Sequence, residues 1–342
     1  MKLMKKWLVG LLSVGLVTSL SVNPTNAESP KGNELETAYI DVAASTLWVE
    51  PNILRPVDEP SATNPVDLRE WTSSMTYEEK LWLVGNLESQ ALLGSKVTIL
   101  EEQGEWVKVA AHEQPTPRNE VGYPGWIPKD QLTDGTAFSM IKERFPFALV
   151  TSPTTWLYDD MRKSSEFMEI SMNTRLPVLK EIGNMLLVVT PSDGIKWLPT
   201  EDANVYESKE DVPNPTADDI LDTAEKFLGL PYLWAGMSGF GFDCSGFTHT
   251  VYKTNGITIP RDSSVQAKHG TPVDREDLQK GDLIFFAYDE GKGRVHHVGM
   301  YIGNGKMIHS PNTSSTVRVD DYDAPGYGEE YAGARRYLDS NE

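Results

Sequence analysis

The stretch GFDCSGFTHTVYK (241–253) holds Cys244, the only cysteine in the chain. A thiolate is the nucleophile of acyl transfer, and it needs a base, most often histidine. Phe247 and Val251 lie four apart and Asn255-Gly256 closes the run, so a helix is expected to begin at Cys244. At that end, unpaired backbone N–H groups and the positive dipole end favour a thiolate and can hold an oxyanion. The competing reading is a small buried thiol, because free cysteine is among the most buried residue types. The Gly-rich approach, PYLWAGMSGFGF, favours the nucleophile.

Six histidines are available. His112 and His269 stand in polar, turn-like contexts, and His249, one turn beyond Cys244, reads as a helix-surface residue. RVHHVGMYIGNGKMIHS reads as a strand, a Gly-Asn-Gly turn and a second strand. Alternation puts His296 with Val298, Met300 and Ile302, and His297 on the other face beside Gly299, which leaves room for a ligand. His297 is therefore the better base. A two-residue turn at Asn304-Gly305 would pair Met300 with His309. A three-residue loop over Gly303 to Gly305 pairs Gly299 with His309 and puts both imidazoles on one face. The three-residue loop, with Gly305 at positive φ, is the expectation.

These groups need elements to position them. Before Cys244, Ile220, Leu221, Ala224, Phe227 and Leu228 form one helical face ended by Gly229. Further upstream the chain repeats itself weakly. VAASTLWVE (42–50) resembles VTSPTTWLY (150–158), KVTILEEQGEWVKV (96–109) resembles RLPVLKEIGNMLLV (175–188), and GWIPKD (125–130) resembles KWLPTE (196–201). Short β-branched and aromatic runs punctuated by Gly, Asn, Asp and Pro predict two small antiparallel barrels. The offset between the copies shrinks along the chain. The first copy therefore carries a large insert after its first strand and a smaller one around HEQPTPRNEV (112–121). The large insert, about 60–93, reads as helical. Asn64-Pro65 serves as a cap-and-N1 pair, and Thr76-x-x-Glu79 as a capping box ahead of Leu81, Val84 and Leu87. Either insert can be a surface excursion or reach across to a neighbouring domain.

The chain opens with Lys2, Lys5 and Lys6, an uncharged apolar run from Trp7 to Val22, and Thr25-Asn26-Ala27. That layout predicts a secretory signal peptide over 1–27 rather than a membrane anchor. The formal charge of −19 disfavours nucleic acid and anionic wall polymers as electrostatic partners. A lone cysteine forms no internal disulfide, and without a CxxC pair a thiolate zinc site is implausible, so neither metal nor cofactor is expected.

GLPYLWAG, DCSGF, DLQKGDLIFF (277–286), HVGMYIG and MIHS, in this order, resemble the NlpC/P60 family of papain-like cysteine peptidases over roughly 215–340. Ala235 departs from the pattern, where a second glycine is common. The two upstream copies resemble bacterial SH3 (SH3b) domains. Together they imply a multidomain protein: two small SH3b-like β-barrels (28–137 and 138–210), followed by an α+β papain-like NlpC/P60 domain (211–342). The resemblance implies Cys244 as nucleophile, His297 as base, His309 orienting it, and Tyr232 at the oxyanion hole. The SH3b arrangement is similar to γ-D-glutamyl-L-diamino acid endopeptidases of the YkfC type, which act on murein peptides with a free L-Ala amine. It implies substrate contacts at Glu88 and Tyr123 from the first SH3b domain. Asp262 and Ser263 are expected at the next helix start, with Ser263-x-x-Gln266 as a capping box, and Glu88 with Asp262 can supply carboxylates to the ammonium. Asp243 and Ser245 flank the nucleophile and can hold peptide backbone or the γ-Glu carboxylate. Rival expectations are an amidase or endopeptidase acting on intact wall, and a non-catalytic wall-binding protein.

Overall fold

A computed structural model describes residues 36–338, so the expected signal peptide lies outside the described residues. The first sheet comprises β1 (Thr37–Ile40), β2 (Ala44–Trp48), β3 (Leu87–Leu92), β4 (Lys96–Gln103), β5 (Trp106–Ala111), β6 (Tyr123–Pro128) and β7 (Leu132–Thr133). The second comprises β8 (Phe147–Val150), β9 (Thr154–Tyr158), β10 (Glu166–Ser171), β11 (Arg175–Ile182), β12 (Met185–Val189), β13 (Ile195–Pro199) and β14 (Ala203–Tyr206). Their strand orders are β3-β2-β6-β5-β4-β1-β7 and β10-β9-β13-β12-β11-β8-β14. One order is the other moved along the chain, so the sequence repeat is a structural repeat. Its anchor is the two-residue hairpin turn, which opens on Gly104 at φ 58° in one copy and Gly183 at φ 62° in the other. Left-handed backbone at that position suits glycine.

The large insert lies between β2 and β3 and carries α1 (Leu68–Ser74) and α2 (Tyr77–Trp82). Three expectations about it need correction. Helix α1 starts from Asp67, whose carboxylate accepts the Glu70 N–H, and not from Asn64-Pro65. The Thr76/Glu79 capping box forms, but Leu81 and Val84 are exposed and Leu83 is the buried residue. The helical part ends before Leu87, because residues 87–92 pair with β2 in an antiparallel ladder. The insert is also no mere excursion. Leu68, Trp71 and Leu83 share a core with Leu233, Ala235 and Phe240 of the Gly-rich loop before Cys244.

Helix α3 (Thr136–Lys142) joins the two sheets, and α4 (Ala217–Glu225) follows the second. Thr216 and Asp219 cap α4 reciprocally. Ile220, Leu221, Ala224 and Phe227 are buried as expected, while Leu228 turns outward. After the short pair β15 (Met237–Ser238) and β16 (Gly241–Phe242) comes α5 (Cys244–Thr254), then α6 (Ser263–Gln266) and β17 (Thr271–Val273). The rest is β18 (Leu283–Ala287), β19 (Val295–Gly303), β20 (Lys306–His309), β21 (Arg318–Asp321), α7 (Tyr327–Glu330) and β22 (Tyr331–Arg336). The six-stranded sheet runs β17-β22-β18-β19-β20-β21. Phe247 and Val251 of α5 pack with Leu283, Phe285, Val298 and Met300 of that sheet, which seats the start of α5 against β19.

Candidate active site

Cys244 is the first residue of α5, and Asp243 is its N-cap, accepting the Gly246 N–H at 2.6 Å. A buried arginine, absent from the sequence reading, secures this turn. Arg261 grips Asp243 through two nitrogens at 3.1 and 2.7 Å, reaches the Ser245 hydroxyl at 2.9 Å, and donates to Ser89 of β3 at 3.1 Å. Asp243 and Ser245 are thus engaged by Arg261, which ties the nucleophile turn to the first barrel. Only its position after Pro260, directly before Asp262 and Ser263 at the next helix start, hinted at it.

The backbone N–H of Val298, the residue after His297, is near enough to Cys244 to favour its charged form. His297 Nε2 lies 2.8 Å from His309 Nδ1, and His309 Nε2 lies 3.0 Å from Asp320 Oδ2. Burial opposes ionisation of Asp320, yet its bonds from His309 and Arg318 outweigh burial and hold its carboxyl below the usual range. An ionised carboxylate only accepts, so His309 carries its proton on Nε2 and presents the Nδ1 lone pair. His297 must then carry its proton on Nε2, which leaves the Nδ1 lone pair free to take a thiol proton. One tautomer of each ring satisfies the whole series. Asp320, its terminal acceptor, was not singled out in the sequence.

The hairpin reaches this register by an unexpected route. The turn is the two-residue kind at Asn304-Gly305, both at positive φ, with Gly303 opposite Lys306. An irregularity between Tyr301 and Gly303 then restores Met300 to Ile308, which brings Gly299 alongside His309. The space beside Gly299 is filled, since an added Cβ would meet Met307 Sδ at 2.5 Å. His296 also departs from alternation. A register shift opposite Phe286 and Ala287 lifts it from the aliphatic face to Glu330, 2.9 Å away. His249 is fully buried, not on the surface, with Nδ1 2.7 Å from the Ile259 carbonyl oxygen.

Burial works against the expected thiolate. Burial, reinforced by the Asp243 carboxylate, pushes the Cys244 thiol up to about 12. The Val298 and Ser245 N–H groups and Arg261 pull the other way without offsetting it. Burial, then His309 and His296, holds His297 well below its ordinary value. Burial thus favours the neutral form of both Cys244 and His297. Tyr232 is held well above the ordinary phenol value by burial, then by Cys244 and Asp243, so it stays a proton donor beside the sulfur.

A second cluster adjoins this turn. Tyr123 of β6 donates to Asp262, the residue before α6, at 2.9 Å. Glu88 stands on β3, not in a helix, and joins the cluster only through Arg118, which holds both its carboxylate oxygens and reaches the Tyr123 hydroxyl at 3.1 Å. Asp262 carries a raised pKa, chiefly from burial, against the pull of Arg261 and Tyr123. The Ser263/Gln266 capping box does not form. The Gln266 amide turns inward to the Ser245 and Pro260 carbonyls, and half-buried Ser263 simply opens α6.

Residues 229–336 match the NlpC/P60 family, 150–206 the YKFC SH3b2 domain and 85–132 the bacterial dipeptidyl-peptidase Sh3 domain. The chain is 56% identical, over 93% of its length and 95% of the relative's, to the gamma-D-glutamyl-L-lysine dipeptidyl-peptidase of Bacillus cereus (strain ATCC 10987 / NRS 248). This chain belongs to the NlpC/P60 family. A Bacillus subtilis (strain 168) protein, also named gamma-D-glutamyl-L-lysine dipeptidyl-peptidase, is 39% identical over 86% of this chain and 96% of its own. The crystal structure of an NlpC/P60 family protein from Bacillus cereus ATCC 10987 superposes with a TM-score of 0.85 at 58% identity, covering 88% of this chain and 99% of that one. The two SH3-like domains ahead of an NlpC/P60 domain are thereby established, and so is a peptidase activity.

Proposed function

We propose that the chain cleaves the γ-D-Glu–L-diamino acid bond of murein peptides whose L-Ala amine is free, releasing L-Ala-γ-D-Glu. The observation that carries this reading is the ordered series His297–His309–Asp320, which leaves a free lone pair on His297, whose chain neighbour Val298 shares a core with Cys244. The Cys244 proton passes to His297 Nδ1 as the sulfur attacks the γ-carbonyl carbon. The Tyr232 hydroxyl and backbone N–H groups at the start of α5 hold the oxyanion. The tetrahedral species collapses, His297 gives its proton to the leaving amine, and a thioester remains. Water, deprotonated by His297, then attacks the thioester; the dipeptide carboxylic acid leaves and Cys244 regains its proton.

Glu88, Tyr123 and Asp262 form the end of the cleft that takes the L-Ala ammonium. This requires the ammonium to displace Arg118 from Glu88. Asp243 and Ser245, held by Arg261, position the nucleophile turn, and Ser263 lies beside the peptide path. The names of the two Bacillus relatives support L-lysine as the diamino acid. Residues 1–27 act as a cleaved export signal in this reading, which N-terminal sequencing of the secreted protein checks.

Mass spectrometry of L-Ala-γ-D-Glu-L-Lys-D-Ala digested beside its N-acetylated form tests the proposal. Release of L-Ala-γ-D-Glu from the free peptide alone is expected. Equal cleavage of both removes the amine site, and cleavage of neither removes the peptidase reading.

A further inference from the structure

A cavity of about 400 Å³ lies where the three domains meet, and neither Cys244, His297 nor the Glu88–Asp262 cluster lines it. Its charge is opposite to that of the chain. Lys96, Lys142, Arg175, Lys209 and Lys253 face it against only two carboxylates, Glu113 and Glu143, in a protein of formal charge −19. The cations come from every part of the molecule: Lys142 ends α3, Arg175 opens β11, Lys209 lies between the second sheet and α4, and Lys253 sits on α5.

The counter-charge is incomplete. Glu113 takes both Lys209 and Lys253, the latter at 3.3 Å. Lys142 donates to the Gly94 carbonyl oxygen at 2.6 Å and otherwise faces the Tyr39 and Phe138 rings, with no carboxylate partner among the described residues. Arg175 donates one nitrogen to the Lys253 carbonyl oxygen at 3.3 Å, while its Nε is buried without a partner. Burial pulls Lys142 down to about 8 and lowers Lys253 and Arg175 as well, so Glu113 does not offset the cost of enclosing these charges. Buried charge without a partner is expensive and is normally matched by an opposite charge. The missing charge exceeds one unit, and the volume far exceeds one water's share of ~30 Å³.

We infer that this cavity binds a small multivalent anion, a phosphate or a polycarboxylate, separately from the catalytic site. Such a ligand touches all three domains at once, so it stabilises their assembly in proportion to its occupancy.

Inorganic phosphate and citrate, titrated into the full chain at constant ionic strength held with sodium chloride, test this by calorimetry and thermal melts. A saturable rise in Tm of about 2 °C or more at low millimolar anion is expected. A response to phosphate alone identifies a tetrahedral oxyanion, and one to citrate alone a polycarboxylate. The Lys142→Met/Arg175→Met variant should lose the response and keep peptide cleavage. Should that variant not fold, Lys209→Gln, at a side chain 62% exposed, should weaken the anion response several-fold. Identical melts in phosphate, citrate and chloride overturn the inference. So does a rise undiminished in the variants, which marks a general salt effect.

Discussion

Arg118 holds the Glu88 carboxylate with both terminal nitrogens and rests one of them 3.1 Å from the Tyr123 hydroxyl. A guanidinium therefore occupies the place proposed for the substrate ammonium. Its side chain is 42% exposed, so solvent weakens the pair and displacement is cheap. Arg118→Gln should lower KM for the free-amine peptide about 3- to 10-fold with kcat unchanged. Steady-state kinetics check this, and a raised KM would mean that Arg118 organises the site instead of blocking it.

Cys244→Ala should abolish turnover while costing about 1 kcal/mol or less, since one small atom leaves the core. Activity and thermal melts are measured together. A large fall in Tm alongside lost activity would return Cys244 to a structural role.

Asp320 fixes the tautomer of His309, and through it that of His297. Asp320→Asn offers an amide donor where only an acceptor serves. It should lower kcat about 10- to 100-fold with little change in KM, less than the loss at a direct imidazole partner. Wild-type kcat in this variant would remove Asp320 from the series.

Acid should act on activity and stability over different windows. His297 stays neutral well below its ordinary value, so kcat/KM should hold as pH falls through 6.5 and drop only further down. Stability behaves otherwise. Burial holds His249 at about 3 and His309 at about 4, so from about 6.5 downward the unfolded chain binds protons that the folded one refuses. Each such histidine removes about 1.4 kcal/mol per pH unit until its folded value is reached. Denaturant midpoints should therefore fall steeply between pH 6.5 and 4. A flat profile there would contradict the burial of these rings.

Arg261 is 1% exposed and bonds Asp243, Ser245 and Ser89 at once. Arg261→Met leaves the Asp243 carboxylate buried beside the sulfur without its cation, which should cost about 3–5 kcal/mol. Urea unfolding measures it, and a loss below 1 kcal/mol would show that Asp243 finds water or another partner.

Much of this was legible residue by residue. The Thr76 capping box and the helix start at Cys244 follow from local backbone preference, which neighbouring residues carry in full. The errors fell where a distant contact overrode it. Leu87 reads as helix by periodicity but pairs with Trp48 across a ladder, and His296 reads as aliphatic-facing until a bulge frees it for Glu330.

By itself, the sequence determined the order of the domains, the helix that presents the thiol and the two histidines able to serve it. The last two rest on spacing within one element or one hairpin, and the first on a repeat of short strands and the order of the family motifs. Only the tertiary structure decided the protonation of the site. A helix N-terminus argues for a thiolate, whereas enclosure raises the thiol and lowers the imidazole. It also set Arg118, Arg261 and Asp320 against groups carried by other strands and helices. Desolvation and long-range pairing depend on what surrounds a side chain in space, and no local spacing encodes that.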